Sequence, residues 1–144
     1  MIPIEQQVCS LEPSIQLKEL GVPQESVWYW YRGSTTDASY SLGDTADVMN
    51  NSLIPLVKDQ WDAFSAYTVA ELGELLVNYD IGKIQKVGNK WVIGAVRDRD
   101  ETDRNGINEY IVKRVDIWDN SEANARAKML IYLLENKLIK VEDL

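Results

Sequence analysis

The richest run of oxygen ligands in this 144-residue chain is Arg97-Asp-Arg-Asp-Glu-Thr-Asp-Arg-Asn-Gly106, and the chemistry it suggests is calcium binding. A calcium loop between two helices needs oxygen donors at its first, third and fifth positions, glycine at the sixth and glutamate at the twelfth. Counted from Asp98, the sixth residue is Asp103, the twelfth is Glu109, and the flanks read as strands. The register does not fit. A solvated hairpin tip is the better reading, with alternating charges that discourage edge-to-edge pairing. Cys9 is the next candidate, because it precedes a helix start, where the dipole lowers a thiol pKa. No Lys, Arg or His flanks it, so an inert, partly buried thiol is expected.

The chain contains no histidine. Ser-His-Asp and Cys-His nucleophile systems are thereby excluded, as are metal sites that need imidazole. Acid–base work would fall to carboxylates, Tyr or Lys, and the sequence brings no two of them together diagnostically. The glycines form neither GxGxxG nor GxxxxGKS/T, so no nucleotide cradle is indicated. No catalytic, cofactor-binding or metal-ligating residue is assigned, and the reading leans away from an enzyme.

The aromatic run Ser26-Val-Trp-Tyr-Trp-Tyr-Arg32 is the strongest candidate for recognition. Its β-propensity predicts a strand over about 26–32. A period of two then sends Trp28 and Trp30 to one face and Val27, Tyr29 and Tyr31 to the other. A sheet backed by helices on one side has a single dry face. Tyrosine, with its hydroxyl, tolerates a wet boundary better than tryptophan. The tryptophans are therefore expected inward, with Tyr29 and Tyr31 forming a candidate interaction surface. Trp61, Trp91 and Trp118 are individually expected in the core.

These residues are positioned by elements with clear local signals. A helix is predicted over about 10–20, capped by Ser10, with Pro13 early and Gly21-Val-Pro23 as its stop. Tyr40–Leu42 suggests the start of a strand, and Ala46–Met49 a helical turn. Thr68-Val-Ala-Glu71 is a capping box opening a helix over about 69–78, with Tyr67 and Leu72 at the staple positions. Gly88-Asn89 joins two β-rich arms, predicting a three-stranded antiparallel meander over about 82–118. A closing helix over about 121–136 gathers Ala123, Ala127, Leu130, Ile131, Leu133, Leu134 and Leu138 on one face. Asn124, Lys128, Tyr132 and Glu135 fall opposite. Together these predict an α+β fold in one domain over 1–144: a mainly antiparallel sheet, including the aromatic strand, packed against helices.

Twenty-three acidic against 15 basic side chains give a net charge of -8, which repels phosphate backbones and argues against nucleic-acid partners. No apolar run approaches the ~20 residues of a membrane helix. The start, Met-Ile-Pro-Ile-Glu-Gln-Gln, lacks the basic and apolar segments of a secretory signal. A single cysteine cannot form an internal disulfide, which fits a reducing cytoplasm.

Three phrases carry a resemblance. They are Gln7-Val-Cys-Ser-Leu-Glu12 running into Leu17-Lys-Glu-Leu-Gly-Val-Pro-Gln-Glu-Ser-Val-Trp-Tyr-Trp30, then Ala66-Tyr-Thr-Val-Ala-Glu-Leu-Gly-Glu-Leu-Leu76, and Glu122-Ala-Asn-Ala-Arg-Ala-Lys-Met-Leu-Ile-Tyr-Leu-Leu-Glu-Asn136. Together they resemble a family of small proteins from bacteriophages, prophages and mobile regions of bacterial genomes, a family without an assigned activity. The resemblance implies a bacterial cytoplasm and an accessory role, and it transfers no functional residue. The leading expectation is a non-enzymatic accessory protein that binds a protein partner or associates with itself. A small domain using carboxylates and aromatics on a sugar or nucleotide is the alternative. It would show a pocket where Asp/Glu and Trp/Tyr side chains converge. An acidic DNA mimic ranks third, because the carboxylates are mixed with Lys and Arg.

Overall fold

The computed structural model describes residues 2–32, 39–51, 63–77, 84–102 and 108–144. In chain order they form α1 (Ile4–Gln7), α2 (Leu11–Glu19), β1 (Trp28–Tyr31), β2 (Ser41–Asp44), α3 (Thr45–Asn51), β3 (Ala63–Ser65) and α4 (Val69–Leu76). The chain continues through β4 (Gln85–Val87), β5 (Lys90–Thr102), β6 (Asn108–Asp119) and α5 (Glu122–Glu135), and Val141–Asp143 adds a short 3-10 turn. The fold is α+β, with helices packed on two three-stranded antiparallel sheets ordered β2-β1-β3 and β4-β5-β6. The second sheet is the expected meander. The aromatic strand does not extend it but forms the centre of the first sheet.

Local signals account for the element boundaries. At the end of α2, Gly21 takes φ +87. Its amide donates to the Lys18 carbonyl and the Val22 amide to the Leu17 carbonyl, each at 3.0 Å. These are the two bonds of a Schellman stop, and its Leu17–Val22 apolar pair is buried. The capping box of α4 is formed: the Glu71 amide donates to Thr68 Oγ1 at 3.2 Å, and the Thr68 amide donates to Glu71 Oε1 at 3.1 Å. Tyr67 and Leu72 are buried in one core cluster. Ser10 departs from expectation, since its hydroxyl caps nothing in α2. Its amide is already engaged by Asn124 Oδ1 at 2.7 Å, which ties the chain start to α5.

The main core surrounds α5. This helix packs against α1, α2, α4, β5 and β6. Ala125 and Met129 are buried in addition to the expected apolar face, and only Lys128 and Glu135 are exposed along its length. A helix apolar around most of its circumference is an interior helix. The alanines at its start admit close neighbours, and the larger residues after Lys128 fill the interior. Among the described residues no helix is long and apolar enough to cross a membrane.

Candidate functional site

The aromatic strand lies between two coverings. Tyr29 pairs with Gly43 and Ser65, and Tyr31 with Ser41 and Ala63, so small residues flank both tyrosines on their face of the sheet. That lets α3 approach: Tyr29, Val48 and Ala63 form a second buried cluster, with Tyr31 half-buried against it. Tyr29 is 3% exposed. Its hydroxyl donates to the Gln24 carbonyl and accepts from the Ser26 amide, both at 3.3 Å, so it needs no solvent. On the opposite face, Trp30 Nε1 donates to the Cys9 carbonyl at 2.9 Å. Beside it, Lys18 Nζ stands 5.0 Å from the Phe64 ring.

The expected orientation does not hold for Tyr29, which is buried, whereas Trp28 and Trp30 are half-buried. The tyrosine side is the one α3 covers: Tyr29 is a core residue and not part of an open surface, while Tyr31 is half-buried beside it. This sheet is not covered on a single side: α3 packs on β1 and β2, and α2 packs against β3. The signal that would have found this is the small set Gly43, Ala63 and Ser65, which can be aligned only once strand register is known.

Cys9 is buried, with its sulfur 3.1 Å from Ser14 Oγ. Burial pushes its thiol pKa up, against the Ser14 hydrogen bond. Asp98 to Thr102 continue β5 rather than forming a loop, and the rest of the acidic run up to Ile107 lies outside the described residues, as does Trp61. Among the described residues no three Cys, Asp or Glu side chains are placed to hold a metal ion.

Two further features sit at the opposite end of the meander, where β4 turns into β5. In the β4-β5-β6 sheet, Gln85 pairs with Val92 and Val92 with Trp118. Alternation places Val87 on that same face, directed away from α5. Val92 is 5% exposed there, while Val87 is 47% and Trp118 49% exposed. The core expectation for Trp118 is thus corrected: among the described residues, α5 packs on the opposite side of this sheet, with Trp91, Ile93 and Ile117. On that covered side Trp91 is half-buried against the main core, with Lys86 Nζ 5.9 Å from its ring. Trp91 also borders a cleft of about 500 Å³ between α1, the β4–β5 hairpin and the first turn of α5.

A smaller hollow of about 250 Å³ gathers Glu25, Glu71 and Glu74 beside Tyr67. Two of its groups are already engaged. Glu71 accepts from the Thr68 amide and from Ser26 Oγ, and the Tyr67 hydroxyl donates to the Pro23 carbonyl. Burial raises the Tyr67 pKa well above the ordinary phenol value. Compared with protein-family models, with curated proteins and with solved structures, the chain shows no match.

Proposed function

We propose that the chain is a non-enzymatic binding protein, an accessory of a phage or mobile element acting in a bacterial cytoplasm, and that it engages a protein partner through the outer face of the β4-β5-β6 sheet. One observation carries this reading: a tryptophan half open to solvent on a sheet face, paired with the buried Val92, with the half-open Val87 on the same side. Covering the open half of such a side chain, roughly 100 Å² at ~25 cal/mol per Å², is worth about 2–3 kcal/mol, enough for an interface anchor. Charge selects the partner's character. Asp116 shares this face and the chain carries a net -8, so two copies repel while a partner with an apolar centre and a basic rim is attracted.

The test is capture from host lysate, with and without phage infection, using the parent chain and Trp118→Ser. The substitution lies on an open face and should leave the circular dichroism melt unchanged. A stoichiometric partner held by the parent and weakened ~30-fold or more by Trp118→Ser is the expected result. Equal capture by both proteins would remove this face from the proposal.

A further inference from the structure

We infer that the cleft bounded by α1, the β4–β5 hairpin and the first turn of α5 binds a neutral saccharide of one or two rings, with Trp91 as its apolar wall. This site is independent of the outer sheet face, because Trp91 and Trp118 point to opposite sides of the sheet. Its volume of about 500 Å³ lies within the range of small-ligand clefts.

The indole is fixed before any ligand arrives. Trp91 pairs with Lys86 on one side and Asp119 on the other, and it packs against the main core. Sugar rings carry faces of C–H groups that stack on such a surface. Lys86 reaches over the ring from an exposed position, and among the described residues its ammonium makes no ion pair. It is therefore free to swing aside and donate to a ligand hydroxyl.

The polar lining suits hydroxyl groups, which both donate and accept. Gln7 Nε2 donates to the Ile2 carbonyl at 2.5 Å, leaving its amide oxygen as an oriented acceptor. Glu122 Oε1 accepts from Arg126 Nη2 at 3.0 Å, which holds the carboxylate in place with Oε2 available. The side-chain amides of Gln6 and Asn120 make no hydrogen bond among the described residues and supply both donors and acceptors. Glu5 and Glu122 outweigh Lys86 in the lining, so phosphorylated sugars are disfavoured.

The experiment is an ¹⁵N–¹H NMR titration of the full chain with cellobiose, maltose and N,N′-diacetylchitobiose, and with glucose 6-phosphate as the anionic comparison. Expected is a saturable shift of the Trp91 indole and Asn120 side-chain signals with at least one neutral sugar, with Kd on the order of millimolar. The exposed double substitution Gln6→Ala/Asn120→Ala should weaken that binding about tenfold or more. Trp91→Phe, which keeps a ring in the core position, should weaken it less. The inference is overturned if none of the neutral sugars gives a saturable shift, if glucose 6-phosphate binds as tightly, or if the double substitution leaves the affinity unchanged.

Discussion

Gly43 stands in β2 opposite Tyr29 and has no room for a side chain: a β-carbon there would lie 2.7 Å from Asp47 Cβ and 2.8 Å from Tyr31 Cε1. Neither neighbour can yield easily, since Asp47 is held in α3 by its exchange of bonds with Asp44 and Tyr31 packs against the Tyr29, Val48 and Ala63 cluster. Gly43→Ala should therefore cost about 1–3 kcal/mol in a urea melt, through overpacking rather than lost contacts. A second residue-scale prediction concerns Asp119. Burial pushes its carboxyl pKa up, but the hydrogen bond from Lys128, that from the Ser121 amide and the Lys128 charge outweigh it, holding the group below its ordinary value. The unfolded chain thus binds this proton more readily than the folded one. The stabilisation is present above the ordinary carboxylate pKa of about 4 and is lost as pH falls through the lowered folded value. Asp119→Asn should be less stable than the parent at pH 7, and the gap should close as urea melts are repeated toward about pH 2.

At the scale of elements, helix ends carry much of the specification. Asp44 and Asp47 exchange amide-to-carboxylate bonds at the start of α3, at 2.9 and 3.0 Å, repeating with aspartates the reciprocal pattern of Thr68 and Glu71. The end of α5 repeats the stop of α2: the Lys137 amide donates to the Leu134 carbonyl and the Leu138 amide to the Leu133 carbonyl. Here, however, the left-handed position is held by lysine at φ +55 rather than by glycine. A residue with a β-carbon pays about 1 kcal/mol or more for that conformation. Lys137→Gly should accordingly raise stability by about 0.5–1 kcal/mol, after allowing for glycine's greater freedom when unfolded. Thermal melts at matched ionic strength would check it, and a lower Tm would show that the lysine stem contributes packing that outweighs the strain.

Across the whole molecule, α5 is the element on which the others converge. Leu130 is fully buried among residues from α2, α4 and the meander, so Leu130→Ala should cost about 2–5 kcal/mol. Lys128 lies on the exposed side and pairs with Asp119 at 2.5 Å. Because that lysine is largely open to water, Lys128→Ala should cost no more than about 1 kcal/mol. Parallel urea melts compare the two; similar losses would mean that the helix is rotated relative to the packing described.

The amino-acid sequence by itself determined those features whose causes lie within a few residues. The stop at Gly21, the box at Thr68 and Glu71, the turn at Gly88-Asn89 and the apolar face of α5 depend on neighbours one helical turn or one hairpin away. The tertiary structure decided which faces are dry. Tyr29 is buried because α3 and the small residues Gly43, Ala63 and Ser65, distant in the chain, meet on its side of β1. Trp118 is open because no described helix crosses the outer face of its sheet, and the Trp91 cleft exists because α1 and the start of α5 meet beside β4 and β5. Alternation along a strand encodes two faces but not which of them is covered; that depends on contacts between segments far apart in sequence.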